Sequence, residues 1–250
     1  MSDENPITPD RFDAVLFDLD GVITDTAKMH AACWKRMFDE YLQKRAVSTG
    51  GAFHPFDIVT DYTLYVDGKT RFDGVRDFLR ARGIQLPEGT PDDPSEEETV
   101  WGLGNRKNEL VNEVIVSTGI VPYPGTVALV HRLRRQGIRT AVVTSSQNCD
   151  AVLREAGLID LFEVRVDGNL IHEQHLAGKP KPDAFLKAAG LLGVDPKRAV
   201  VVEDAIAGVQ AGRNGNFGLV IGVARKGNVE ELKRHGAHVV VNDLGELLSR

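Results

Sequence analysis

Five short, almost wholly apolar runs limit what this chain can fold into. They are Ala14-Val15-Leu16-Phe17, Arg139-Thr140-Ala141-Val142-Val143, Ala199-Val200-Val201-Val202, Gly218-Leu219-Val220-Ile221 and His238-Val239-Val240-Val241. A strand with one face in water alternates apolar and polar residues. These runs do not alternate, so they read as strands buried on both faces, the kind found in parallel sheets. Helical spacing fills the gaps. Val127, Leu129, Val130 and Leu133 follow Pro124-Gly125, and the pattern stops at Gln136-Gly137, a glycine-marked helix end. A second helix is predicted from Pro182-Asp183 through Phe185, Leu186 and Ala189 to Gly190, and a third over 205–211. Strands alternating with helices predict an α/β fold with a doubly wound parallel sheet.

The alternation is interrupted once. Between the first and second runs lie helical patterns at 27–43 (Met29, Ala32, Cys33, Met37, Tyr41), 71–81 (Phe72, Val75, Phe78, Leu79) and 96–116, with no strand-like run among them. The loop at 86–95 carries Pro87, Pro91 and Pro94, which punctuate it as an exposed excursion. The expected organisation is a flexible tail at 1–11, an α/β core at 12–26 and 119–250, and an all-helical cap domain at 27–118. A chain of 250 residues suits a core domain with a smaller insert.

The formal net charge of −6 argues against a nucleic-acid binder, which needs a basic field. The one dense basic cluster, 131–135, falls on a predicted helix and reads as a solvated face. Cys33 and Cys149 are the only two cysteines, too few for a disulfide scaffold, and read as reduced thiols. Residues 1–11 are polar, with Pro6 and Pro9 and no apolar stretch, unlike a signal peptide. No run approaches the roughly 20 apolar residues of a membrane span. The expectation is a cytoplasmic monomer with a small-molecule substrate and no nucleic-acid or membrane partner.

In open α/β sheets, ligands bind beyond the carboxyl ends of the strands. The first such end reads Phe17-Asp18-Leu19-Asp20-Gly21-Val22-Ile23-Thr24-Asp25. If the strand continues, Asp18 and Asp20 share a face. Two carboxylates that close oppose each other's ionisation unless a cation intervenes. Asp20-Gly21 alone is an ordinary turn. The second end, Val143-Thr144-Ser145-Ser146-Gln147-Asn148, offers hydroxyls and free backbone N–H groups to an anion, or simply caps a helix. Gly178-Lys179-Pro180-Lys181-Pro182 holds a lysine among prolines that restrict the backbone. Val202-Glu203-Asp204-Ala205 puts two acids directly after an apolar run, a costly arrangement unless they are paired or metallated.

Taken in order, these four strings resemble the four motifs of the haloacid dehalogenase superfamily. The resemblance implies a Rossmann-like doubly wound parallel sheet core with the cap inserted, Mg2+ as cofactor, and phosphoryl transfer through an aspartyl phosphate. It makes Asp18 the nucleophile and Asp20 the general acid and base, and Thr144 the phosphate-binding hydroxyl beside Ser145, Ser146 and Asn148. Lys179 would neutralise the transferring group. The metal would be held by Asp18, the Asp20 carbonyl and Asp204, with Glu203 in a second or water-mediated position. Thr24 and Asp25 would be structural, and Gly208 would let the following helix pack closely. The second aspartate separates phosphoryl transferases from dehalogenases, which need no proton for a halide.

From about Phe12 onward the likeness is to the β-phosphoglucomutase-like family, carried by the string at 18–27 with Met29-His30 and Trp34, by Arg106-Lys107-Asn108, and by Tyr123-Pro124-Gly125. It implies a hexose phosphate substrate, with β-glucose 1-phosphate converted to glucose 6-phosphate. His30 would reach toward the general acid. Arg71, in Gly68-Lys69-Thr70-Arg71, would hold a non-reacting phosphate, with Trp34 and Lys69 also on the substrate. The sequence departs from the family at Gln147, where a lysine is usual, at Gly74, at Ala205 and in the loop at 86–95. The alternatives are a phosphatase acting on a sugar phosphate or other small phosphomonoester, and a non-catalytic binding relative.

Overall fold

The computed structural model describes residues 6–248. They form two compact units, one of residues up to Asp25 and from Ile120 on, the other Thr26–Gly119. Residues 1–5 of the expected tail lie outside the described residues. Further along that stretch, Ile7 is 1% exposed, and Arg198 donates to the Asp10 carbonyl at 3.2 Å.

The chain enters the first unit through β1 (Ala14–Phe17), buried at every position. It then builds the helical unit. Helix α1 (Ala27–Thr49) buries Ala31, Trp34, Met37, Phe38, Tyr41 and Leu42, a stripe at three- and four-residue spacing. It runs six residues beyond the expected 43 and stops at Gly50, whose φ of 69° suits a residue without a Cβ. A π-helical turn, Tyr62–Val66, precedes α2 (Arg71–Ala81), which is capped by the Thr70 hydroxyl. Helix α3 (Val100–Thr118) starts four residues later than expected because the Thr99 hydroxyl accepts from the Gly102 N–H at 2.9 Å, and an N-cap of this kind sets the first turn. The interior is aromatic. Phe38 packs against Trp34, Phe56 and Phe78 with ring centroids 5.4, 5.3 and 4.0 Å away.

The loop at 86–95 is exposed yet pinned. Asn105 donates to the carbonyls of Pro91 at 3.1 Å and Asp93 at 2.9 Å. The Thr99 hydroxyl reaches Asp93 Oδ2 at 2.6 Å.

Back in the first unit come α4 (Pro124–Arg135), β2 (Arg139–Val143), α5 (Cys149–Glu155), β3 (Val164–Val166), α6 (Gly168–Glu173), α7 (Asp183–Leu192), β4 (Ala199–Glu203), α8 (Ile206–Asn214), β5 (Leu219–Val223), α9 (Val229–Arg234) and β6 (Val239–Val241). The six strands are ordered β3-β2-β1-β4-β5-β6, and every pairing is parallel. This is the doubly wound order, in which the chain reverses direction beside β1 and a crevice opens at the carboxyl ends. Ala14 and Leu16 share one core cluster with Ala141, Val143, Val201 and Phe185. Burying residues of this size is worth about 1.5–3 kcal/mol each, which accounts for the unbroken apolar runs. Strand β3 has no counterpart among the five expected runs. It is three residues long with Arg165 exposed at its centre, and as an edge strand it needs no second buried face. Among the described residues no helix is long and apolar enough to cross a membrane.

Candidate active site

Sheet register brings the site together. Phe17 pairs with Val142 on β2 and with Val202 on β4. The next residues outward, Asp18, Val143 and Glu203, therefore stand at one level on three adjacent strands. Lys179, from the loop between α6 and α7, enters this level from the side. Its Nζ lies 2.5 Å from Asp18 Oδ1, 2.5 Å from Glu203 Oε1 and 3.4 Å from the Val143 carbonyl. All three ionisable side chains are buried.

Glu203 is held from two sides. Its Oε2 accepts the N–H groups of Asp204 at 3.0 Å and Ala205 at 3.1 Å, while Oε1 takes the lysine. Gly208 of α8 lies directly over it, and a Cβ there would overlap the Glu203 carboxylate. Gly21, with a φ of 84°, stands against Asp204 in the same way. Both glycines therefore serve close approach between backbone and carboxylate.

Asp18, Glu203 and Asp204 each offer a carboxylate oxygen, all within 4.8 Å of one another. Three carboxylates therefore crowd round one ammonium in a buried place. Burial accordingly pushes the Asp18 carboxyl well above its usual range, with Glu203 and Asp20 adding to the rise and Lys179 opposing it. Burial alone would depress the Lys179 ammonium, but Asp18 and Glu203 overcome that and raise it. The oxygen donors and the small span fit a hard divalent cation.

Asp20 is not one of these three carboxylates; the resemblance assigned its carbonyl to the metal, and the acid–base role to its side chain. The face-sharing argument for Asp18 and Asp20 is corrected, because β1 ends at Phe17 and no strand continues through them. Instead the chain turns. The Gly21 N–H donates to Thr24 O at 2.8 Å and the Thr24 N–H to Leu19 O at 3.0 Å. Asp20, half-buried, bridges to Thr24. Thr144 is 1% exposed at the end of β2, and its hydroxyl accepts from the Ser146 N–H at 3.0 Å. Ser145, Ser146 and Asn148 are half-buried beyond it. Asn148 is the N-cap residue of α5 without a side-chain capping bond.

The remaining residues named from sequence belong to the helical unit. His30 is buried, and its Nδ1 lies 2.7 Å from Lys107 Nζ. Trp34 is 4% exposed, stacked on Phe38 and placed under the Lys107 ammonium. These are packing contacts, and a substrate role for Trp34 finds no support in them. Lys69 Nζ is directed at Asp77 at 2.7 Å and the Leu64 carbonyl at 3.3 Å, so a carboxylate already balances its charge. Arg71 is half-buried, with Nη2 donating to Asn108 Oδ1 at 2.8 Å. Burial lowers its guanidinium to about 10.

A parallel sheet of this order, with buried aspartate, threonine, lysine and a glutamate–aspartate pair gathered at its carboxyl ends, defines an enzyme of the phosphotransferase or phosphatase class. The family model "Hydrolase: haloacid dehalogenase-like hydrolase" matches residues 12–216. The β-phosphoglucomutase of Mycobacterium tuberculosis (strain CDC 1551 / Oshkosh) is 51% identical over 243 residues, covering 96% of this chain and 93% of its own. Hexitol phosphatase A of Escherichia coli (strain K12) is 31% identical over 200 residues, covering 79% and 76%. The crystal structure of β-phosphoglucomutase from Clostridium difficile is similar with a TM-score of 0.71 at 26% identity, over 94% of this chain and 93% of that one. The chain belongs to the haloacid dehalogenase-like hydrolases, in their β-phosphoglucomutase-like family.

Proposed function

We propose that this enzyme transfers a phosphoryl group on a hexose phosphate, converting β-glucose 1-phosphate to glucose 6-phosphate with Mg2+ as cofactor. The observation that carries the reading is Lys179 held between Asp18 and Glu203, with Asp204 alongside. The likeness to the mycobacterial β-phosphoglucomutase supports the choice of substrate.

Each half-reaction assigns a role to the residues named above. A carboxylate oxygen of Asp18 attacks phosphorus in a bound sugar bisphosphate as the bond from phosphorus to the sugar oxygen breaks, and Asp20 gives that oxygen its proton. In the second half, a hydroxyl of the sugar monophosphate attacks the aspartyl phosphate. Asp20 takes back the proton, and Asp18 departs as a carboxylate. Lys179 faces the nucleophile throughout and offsets charge on the moving group, while the Thr144 hydroxyl and nearby N–H groups receive its oxygens. Asp18, Asp204 and the Asp20 carbonyl would hold Mg2+, with Glu203 behind them. The metal, when bound, supplies positive charge to the phosphoryl oxygens.

In the helical unit, Arg71 holds the phosphate that does not react. It is a half-buried cation facing the neutral Asn108 oxygen, a setting suited to gripping an anion.

A phosphatase is the second reading. Gln147 is uncharged where the family has a lysine, and Hexitol phosphatase A is among the similar proteins. The two differ only in whether a sugar hydroxyl or water attacks the aspartyl phosphate. A phosphorus NMR time course with Mg2+, β-glucose 1-phosphate and a trace of the 1,6-bisphosphate separates them. Growth of glucose 6-phosphate without free phosphate is the expected result. Inorganic phosphate as the main product would replace the mutase reading with the phosphatase one. An unchanged spectrum would remove this sugar as the substrate.

A further inference from the structure

The end of β5 carries an arginine that none of these roles uses. Arg225 lies two residues beyond Val223, with its side chain 16% exposed. Its Nε donates to the Gly21 carbonyl at 3.1 Å, and Nη1 donates to Asp243 Oδ2 at 2.7 Å and the Asn242 carbonyl at 3.0 Å. The guanidinium carbon sits 3.6 Å from the centroid of the Tyr123 ring, close enough for a cation–π contact. The Tyr123 hydroxyl in turn donates to Asp25 Oδ1 at 2.8 Å. Every one of these residues lies in the α/β unit.

Two features set this arginine apart from a residue placed for stability. Its Nη2 is buried without a hydrogen-bond partner, and a buried donor left unpaired is unfavourable. Its Nε also grips a backbone carbonyl one residue beyond Asp20. The Gly21 peptide is where the chain reverses, at a φ of 84°, and where the missing Cβ admits the Asp204 carboxylate. Rotating that peptide would move Asp20 and disturb Asp204 together. The turn is tied on its other side to the segment returning at 121–123, through Asp25 N–H to Val121 O at 2.9 Å and Tyr123 N–H to Ile23 O at 2.9 Å. Arg225 touches both parts, the carbonyl with its edge and the Tyr123 ring with its face. A planar guanidinium can do this and an ammonium cannot.

We propose that Arg225 is a positioning residue for the reaction: it locks the Gly21 peptide against Tyr123, so that Asp20 is aimed at the leaving oxygen. This rests on the acid–base role given to Asp20 above. The consequence is specific. Losing the lock harms transfer from a group that needs a proton more than transfer from one that does not, and it leaves substrate binding alone.

The test measures single-turnover loss of the phosphoryl group from glucose 1,6-bisphosphate, an alkyl leaving group, and from p-nitrophenyl phosphate, an activated aryl one. It uses the whole chain with Mg2+. Arg225→Met keeps the side-chain bulk and removes the donors. It is expected to slow the sugar reaction about tenfold or more beyond its effect on the aryl reaction, within the range of general acid catalysis, with substrate affinity within about twofold of the original. Arg225→Lys keeps the charge on a single donor nitrogen but loses the planar fork. It should show the same preference at smaller size, and it carries the comparison if the Met variant does not fold. Asp20→Asn is run alongside. Equal losses on both substrates in the Arg225 variants, with Asp20→Asn still discriminating, overturn the positioning role. Equal losses in Asp20→Asn overturn the acid–base reading itself, and the role of Arg225 with it.

Discussion

The Nζ of Lys179 lies 2.5 Å from Oδ1 of Asp18, across 161 residues of sequence. The same nitrogen reaches Glu203, so one ammonium joins the ends of β1 and β4 with a loop from the other half of the sheet. Glu203 is fully buried, and its other oxygen accepts the backbone N–H groups of Asp204 and Ala205. Lysine thus does two things here, offsetting charge beside the nucleophile and keeping a buried acid paired.

Removing the ammonium should therefore cost stability as well as activity. Lys179→Met strands Asp18 and Glu203 without their cation, and breaking a buried pair in this way typically costs about 3–5 kcal/mol. Thermal denaturation should show a clear drop in midpoint together with loss of turnover. A variant as stable as the original would contradict this pairing role for Lys179.

The three clustered carboxylates at the site predict a divalent cation that stabilises the fold. Added Mg2+ should raise the melting temperature, by an amount equivalent to about 2.7 kcal/mol at a hundredfold excess over its dissociation constant. Chelation should stop turnover. Asp204→Asn should melt at nearly the same temperature with and without Mg2+. A full Mg2+ shift in that variant would place the ion elsewhere.

Arg71 carries the prediction about substrate. Arg71→Ala should raise KM for hexose phosphates that bear a second phosphate or pass through a bisphosphate, by roughly 1.5–3 kcal/mol for a lost charge-assisted bond. Small monophosphates should be nearly unaffected. Steady-state kinetics on both substrates decides it, and equal effects would return Arg71 to packing against Asn108 and Phe72.

Asp243 gives a pH prediction away from the metal ligands. Burial alone would raise its carboxyl, but the Arg225 donor and the Gly245 N–H hold it below the ordinary value. A carboxyl depressed in the folded state contributes stability that is fully present above its unfolded value, about 3.9, and is lost as pH falls through the folded value. The Asp243 side chain is 41% exposed, so solvent screening keeps the contribution under about 1 kcal/mol. Asp243→Asn should be slightly less stable than the original near neutral pH, and the gap should close below about pH 4. Denaturant midpoints at two pH values measure it, and a gap that widens in acid would contradict the sign.

The sequence makes some of these features visible because they depend on local composition. Strands buried on both faces must be continuous apolar runs, so Ala14–Phe17 and Ala199–Glu203 announce themselves. The acids and the lysine stand where those runs end. Strand β3 escapes because an edge strand of three residues with Arg165 at its centre leaves no such trace. The start of α3 escapes because Glu96, Glu97 and Glu98 look helical, while the cap is the single hydroxyl of Thr99. The aspartates at 18 and 20 suggest a continuing strand, yet the turn at Gly21 takes over. The partners of Trp34 and Lys69, Phe38 and Asp77, leave no mark in the local sequence, because they meet only through packing. Arg225 meets Gly21 across 204 residues, and its one sequence signal is its place just past a strand end.

In the proposed reaction Asp18 receives the phosphoryl group. Intact-protein mass spectrometry after brief mixing with Mg2+ and glucose 1,6-bisphosphate, followed by acid quench, tests it most directly. The expected result is a mass increase of one phosphoryl group, mapped by peptide analysis to the segment containing Asp18 and absent from Asp18→Asn, which should keep the original fold and lose turnover. A phosphoryl adduct that persists in Asp18→Asn, or turnover undiminished in that variant, would contradict it.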